Sequence, residues 1–173
     1  MSRQPSPAVQ SPHELDFITH SVAQTIRIGQ RLGELLAPSD LILLLGDFGS
    51  GKTHLIKGIA QGLGSPDLVN SPSFVLINEY RAGPAHQHMP IYHADLYRIE
   101  DPAELAGIGL EETWSGNGVC LIEWAERARD WLPQDHLAIH LRYLSDTKRV
   151  LRFAPHGVRY EALVAEFKKI AFA

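Results

Sequence analysis

The passage from Leu41 to Gly62, LILLLGDFGSGKTHLIKGIAQG, constrains the fold more than any other. Five apolar residues run straight into Gly46-x-x-x-x-Gly51-Lys52-Thr53. An apolar run without polar alternation describes a strand buried on both faces of a mainly parallel sheet. From Lys52 the pattern turns helical, with Leu55, Ile56 and Ile59 on one face. Between strand and helix the chain must fold around a phosphate-sized anion with successive N–H groups pointing inward, a turn that Gly46, Gly49 and Gly51 permit. This is the P-loop pattern in its proper context. It predicts a nucleotide phosphate site in which Lys52 reaches the β- and γ-phosphates and the Thr53 hydroxyl ligates magnesium.

At 173 residues the chain can bury one good core but not two. Hydrophobic content of 45% and charged content of 21% are globular values, and no apolar run approaches the ~18 residues of a membrane span. A formal net charge of -4 gives no overall electrostatic footprint for nucleic acid, so any role near RNA is expected to pass through a partner. The single cysteine, Cys120, cannot form an internal disulfide and reads as a small buried thiol. The first twelve residues, MSRQPSPAVQSP, are polar and Pro-rich and lack the apolar centre of a signal peptide. Residues 1–12 are therefore expected to form a disordered tail, residues 13–173 a single P-loop domain, and the protein to be cytoplasmic.

A short strand is expected from Glu14 to Ile18. Ser21 to Gln24 then forms a capping box opening a helix with Val22, Ile26, Gly29, Leu32 and Leu36 on one face, ended by Pro38. After the P-loop helix, Gly62, Gly64 and Pro66 stop the chain. Ser71-Pro72-Ser73 leads into a strand from Phe74 to Ile77, a loop from Arg81 to Met89, and a strand from Ile91 to Ala94. Asp101-Pro102-Ala103-Glu104 signals a short helix, followed by a buried strand from Val119 to Ile122. Leu137, Ile139, Leu141 and Tyr143 alternate with polar residues, Ser145 to Lys148 reads as a turn, and Leu151 and Phe153 alternate again. Tyr160, Leu163, Val164, Phe167 and Ile170 mark a closing helix. The fold class is α/β: one P-loop NTPase-like domain, a mixed, mainly parallel central sheet flanked by helices, and a C-terminal antiparallel hairpin and helix.

Hydrolysis needs a second acidic group near magnesium, usually at the end of a neighbouring buried strand. Two strands end that way, one at Asp95 and one at Glu123. Each alone reads as a solvated strand-end charge; a P-loop in the same sheet makes both candidates for the site. His86, His88 and His93 lie close together, but no matching Cys or acidic spacing supports a metal site, so they read as loop histidines. Arg98 suits either an internal arginine finger or a structural ion pair.

Four segments now stand in order: Gly46 to Thr53, Ser71-Pro72-Ser73-Phe74, His93-Ala94-Asp95-Leu96-Tyr97-Arg98, and Glu123-Trp124. Together they resemble the motifs of the TsaE family, small bacterial ATPases of tRNA threonylcarbamoyladenosine synthesis, over roughly Thr25 to Leu144. The resemblance implies phosphate binding by Gly49, Ser50, Gly51, Lys52 and Thr53, with His54 beside them, and magnesium ligation by Thr53 and Glu123. It places Thr25 and the Ser73 hydroxyl near the nucleotide and gives Asp95 a role in catalysis or in orienting the magnesium water shell. Lys52, Asp95 and Glu123 are then the catalytic set, and Trp124 is available to stack on nucleotide or partner. The resemblance also implies ATP and Mg as cofactors and TsaD-like and TsaB-like proteins as partners, with most of the tRNA expected to be held by those partners. Ser73 stands where the family usually has Thr, Ala125 where it has Pro, and Ala94 where an aromatic is frequent. Those departures touch loop stiffness and packing and leave the polar set intact.

Three activities fit these residues to different degrees. One is an ATPase subunit of a tRNA-modifying complex, slow until a partner orders its site because no residue declares itself a strong general base. The second is a nucleotide-gated partner-binding module whose hydrolysis is incidental. A small-molecule kinase would need an Arg-rich lid, for which Arg127 and Arg129 are the compact pair. A GTPase would need an Asn-Lys-x-Asp signal, which does not occur.

Overall fold

The computed structural model describes residues 13–72 and 76–171. The expected tail, residues 1–12, and the site candidate Ser73 lie outside the described residues. Seven strands form one sheet in the order β1-β7-β6-β2-β5-β4-β3. They are β1 Leu15–Thr19, β2 Leu41–Leu45, β3 Ile77–Arg81, β4 Pro90–Asp95, β5 Val119–Glu123, β6 His136–Tyr143 and β7 Arg149–His156. The four central strands β6, β2, β5 and β4 run parallel, while β7, β1 and β3 pair antiparallel at the flanks. The mixed sheet with a C-terminal hairpin is thus as the alternation of residues 137–153 requires.

One face of the sheet is covered by α1 (Val22–Gly33), α2 (Lys52–Gly62) and α4 (Val158–Ile170). Leu32, Leu55, Ile56, Ile59, Phe153 and Phe167 fill that layer. A smaller layer on the other face packs Leu41, Leu43, Ala94, Cys120 and Ile122 under α3 (Leu110–Ser115) and two 3-10 helices, Pro102–Gly107 and Ala125–Trp131. Burial of both faces of β2 and β5 explains their unbroken apolar sequences.

The α1–α2 contact is built from glycines. A Cβ at Gly29 would overlap the Leu55 carbonyl oxygen, and one at Gly33 that of Ile59. Reciprocally, a Cβ at Gly58 would overlap the Ile26 carbonyl and one at Gly62 that of Gln30. Two small-residue pairs spaced four apart let the backbones touch, which fixes α2, and with it the P-loop, against the sheet. At the other end of β2, the Leu41 N–H donates to the Tyr160 hydroxyl at 2.8 Å, and Arg159 grips Asp40 through Nε at 2.9 Å and Nη2 at 2.6 Å.

Several boundaries differ from expectation. β1 starts at Leu15; the expected strand from Phe74 to Ile77 falls partly outside the described residues, and β3 runs from Ile77 to Arg81, so Arg81 is a strand residue and not the start of the loop. Val22 is exposed; the buried stripe of α1 is Thr25, Gly29, Leu32 and Gly33, because the glycine contact rotates the helix toward α2. The Asp101–Glu104 capping box is present but opens a 3-10 helix, which ends at Gly107 before α3 begins behind the left-handed Gly109. Neither α3 nor the 3-10 helix from Ala125 was apparent in the pattern of apolar residues.

Candidate functional site

Because β2, β4 and β5 are parallel, their carboxyl ends reach one edge of the sheet together. The P-loop follows β2, Asp95 closes β4, and Glu123 closes β5 directly beside it in register. Gly46, Gly49 and Gly51 have φ of 146°, 75° and 101°, values that a side chain would oppose, so their spacing reflects the turn itself. A Cβ at Gly46 would also overlap the carbonyl oxygen of Leu141 in β6. The loop bounds a cleft of about 520 Å³ lined by Gly49 to His54, Asp95, Glu123 and Trp124 among others.

Lys52 is only 5% exposed, and its Nζ donates to the carbonyls of Gly46 at 2.6 Å and Asp47 at 2.9 Å. Burial pulls its pKa below the ordinary lysine value, and the negative charges of Glu123, Glu126, Asp95 and Asp47 oppose that pull. The Trp124 ring lies 4.4 Å from the same Nζ and stacks obliquely on Tyr97 at 5.1 Å. Trp124 adopts the left-handed conformation with φ 56°, which a non-glycine residue holds only when its surroundings require it. The indole is thus part of the cleft wall against the lysine.

Thr53 donates its hydroxyl to Glu123 Oε1 at 3.1 Å. Two oxygens bound to one octahedral magnesium at 2.0–2.1 Å stand about 2.9 Å apart when adjacent, so this pair has the spacing and the hard oxygen chemistry of two neighbouring ligands. Glu123 Oε1 also meets His93 Nε2 at 2.8 Å. Asp95 accepts from the Ser71 hydroxyl at 3.2 Å and from the Tyr97 N–H at 2.9 Å, holding the 71–72 segment over the cleft. Among the described residues no group of three or more His, Cys, Asp or Glu is arranged to hold a metal. A cation at Thr53 and Glu123 would need phosphate and water oxygens to complete its shell.

The structure brings Gly49, Ser50, Gly51, Lys52, Thr53, His54, Asp95, Glu123 and Trp124 to one cleft. Thr25 does not face it: the side chain is buried behind Gly51, its hydroxyl 2.8 Å from that of Thr19. Arg98 is exposed at the rim. The reading of His93 as a loop histidine is corrected: it is fully buried in β4, while His86 and His88 belong to the β3–β4 connection. Arg149, absent from the sequence candidates, lines the cleft and donates to the Gly49 carbonyl at 3.2 Å. Only the β6–β7 register, which returns the chain to the P-loop edge at Arg149, carries that information.

A family model described as "Threonylcarbamoyl adenosine biosynthesis protein TsaE" matches residues 19–151. The chain is 40% identical over 156 residues to the tRNA threonylcarbamoyladenosine biosynthesis protein TsaE of Bacillus subtilis, covering 90% of this chain and 95% of that one. It is 38% identical over 145 residues to the protein of the same description from Nostoc, covering 82% and 86%. The crystal structure of YdiB from Bacillus subtilis superimposes with a TM-score of 0.77 at 35% identity, over 90% of this chain and 95% of that chain.

Proposed function

The chain belongs to the TsaE family, and from that premise we propose that it binds magnesium and ATP in this cleft. On this reading it hydrolyses ATP as the ATPase subunit of a complex that makes threonylcarbamoyladenosine in tRNA. The observation that carries the reading is the bond between the P-loop hydroxyl of Thr53 and the strand-end carboxylate of Glu123, at the mouth of a glycine turn with three positive φ angles.

In this reading the N–H groups of Gly49 to Thr53 cradle the phosphates, and Lys52 exchanges its Gly46 and Asp47 carbonyl partners for phosphate oxygens. Thr53 and Glu123 would hold the magnesium, which would supply positive charge against that developing on the phosphates. Asp95 orders the rim through Ser71 and Tyr97 and orients water near the cation. Trp124 and Tyr97 offer aromatic surface at the entrance. TsaD-like and TsaB-like proteins are the partners and hold most of the tRNA. On this reading the protein works in the cytoplasm with that complex.

A second reading, a nucleotide-gated binding module, is favoured by one feature. Both candidate carboxylates are already engaged, Glu123 by Thr53 and His93 and Asp95 by Ser71 and Tyr97. Those bonds fix the carboxylates for positioning, and hydrolysis by the isolated chain is expected to be slow. ATP hydrolysis by the chain alone and with its TsaB-like and TsaD-like partners and tRNA, with Glu123→Ala as control, separates the two. Partner-dependent turnover lost in Glu123→Ala supports the ATPase subunit, and nucleotide-dependent assembly without turnover supports the module. Neither assembly nor turnover overturns both.

A further inference from the structure

Glu123 is 3% exposed, so its orientation is set by the protein and not by solvent. Its Oε1 is shared between Thr53 Oγ1 and His93 Nε2. On the far side of the fully buried imidazole, Nδ1 lies 3.2 Å from the Tyr80 hydroxyl. That hydroxyl is 2.9 Å from the Asn70 carbonyl oxygen and accepts from the Asn70 N–H and from Asn78 Nδ2, each at 3.3 Å. The next residue, Ser71, returns to the cleft by donating to Asp95. One line of hydrogen bonds, buried at His93 and reaching the surface at its end, thus crosses from α2 through β5, β4 and β3 to Asn70 and Ser71, the second of which lines the cleft.

A carboxylate only accepts, so His93 Nε2 carries the proton that faces Glu123. In the neutral imidazole Nδ1 is then an acceptor, and the Tyr80 hydroxyl is the donor placed beside it. The hydroxyl has one proton and two acceptors, Nδ1 of His93 and the carbonyl of Asn70. When it turns to His93, the Asn70 carbonyl keeps the amide of Asn78 at 3.2 Å. When it turns to Asn70, Nδ1 loses its donor. The orientation of the Glu123 carboxylate and the hold on Asn70 therefore draw on one shared proton.

We propose that His93 is a positioning residue for Glu123, and that Tyr80 couples occupation of the Thr53–Glu123 site to the order of the Asn70–Ser71 segment. This rests on the magnesium–ATP reading above and adds to it a route by which the bound cation changes a surface segment. His93 and Tyr80 belong to strands β4 and β3 and act through Glu123 and Asn70.

The test uses the full chain, with ATP in EDTA and ATP with magnesium chloride as probes. Affinity is read by calorimetry, and amide exchange at Asn70 and Ser71 by mass spectrometry. In the wild type, magnesium is expected to tighten ATP binding and to speed exchange at the segment, because the shared proton turns from the Asn70 carbonyl to His93. His93→Leu is expected to reduce the magnesium contribution by about 10- to 100-fold, the usual effect of losing a residue behind a metal ligand, while leaving affinity in EDTA unchanged. His93→Gln, which sets an amide N–H near the Nε2 position, restores most of that contribution. Tyr80→Phe retains magnesium binding through His93 and abolishes the magnesium-dependent change in exchange at Asn70 and Ser71. The inference is overturned if Tyr80→Phe keeps the wild-type exchange response, if His93→Gln fails to restore what His93→Leu loses, or if affinity in EDTA falls equally. A wild-type chain that binds ATP with magnesium but shows no exchange response overturns this inference alone. One that binds neither probe overturns the nucleotide reading as well.

Discussion

Thr53 and Glu123, 70 residues apart in sequence, meet through a 3.1 Å hydrogen bond that ties the first turn of the P-loop helix to the end of strand β5. The position of each partner is fixed by backbone: α2 by its glycine contact with α1, and Glu123 by register between β2 and β4. Little side-chain freedom remains to be lost when a cation is gripped there, which is the preorganisation that electrostatic catalysis requires.

Replacing Glu123 by Gln keeps the volume and an acceptor for Thr53 but removes the charge. Magnesium-dependent ATP turnover in the partner complex is expected to fall roughly 100-fold, with affinity for ATP in EDTA nearly unchanged. Steady-state hydrolysis beside a binding titration checks this. An equal loss in both would point to a damaged fold.

Gly58→Ala drives a methyl group into the Ile26 carbonyl and must separate α1 from α2. A loss of about 2–3 kcal/mol is expected from this overpacking, read from the urea midpoint. Gly107→Ala is the control: nothing lies within 4 Å of the added atom, so stability should stay within about 0.5 kcal/mol.

Asp40 precedes β2, and its nearly buried carboxylate accepts two bonds from Arg159 and one from the Ala37 N–H at 2.8 Å. Asp40→Ala leaves that N–H without its partner and removes the Arg159 tie between α4 and the start of β2, leaving the Leu41–Tyr160 bond in place. A cost of about 2 kcal/mol is expected, and less, about 1 kcal/mol, for Arg159→Ala, because the guanidinium is 41% exposed and water replaces its bonds. Denaturant curves of the two variants decide it.

Burial pushes the Cys120 thiol up to about 12 from its ordinary 9.0, against the smaller opposing effect of its hydrogen bond with Thr113. A thiol reagent at pH 8 should therefore leave the native protein unmodified and react with one equivalent on unfolding in urea. The folded value lies above the unfolded one, so the contribution to stability is whole below pH 9 and is lost as pH rises toward 12. Burial raises the Tyr160 hydroxyl in the same direction. Thermal melts should show the midpoint falling across that alkaline window.

What was legible in the sequence is what depends on neighbours along the chain. The P-loop needs glycines at positions fixed by one turn, and the stripe Tyr160, Leu163, Val164 and Phe167 needs one helix against one sheet. His93 was misread because proximity to His86 and His88 was weighed over alternation in β4. On that strand Ile91 faces the main core and Ala94 the opposite one, which puts His93 on the side of Ile91 and of α2. Its bond to Glu123 depends on the β4–β5 register, a pairing between distant segments. Arg149 reaches the P-loop for the same kind of reason. The 3-10 helices around the smaller core are too short for periodicity to mark.

The central claim is that the Gly46 to Thr53 turn binds the phosphates of ATP through Lys52, with magnesium at Thr53 and Glu123. Calorimetric titration of ATP into the wild type and Lys52→Ala, each with magnesium and with EDTA, tests it most directly. One ATP per chain is expected for the wild type, tighter with magnesium, with Lys52→Ala weaker by roughly 100-fold or more, as for loss of a buried charge-assisted contact. Equal affinity of the two proteins, or affinity indifferent to magnesium, would contradict the account.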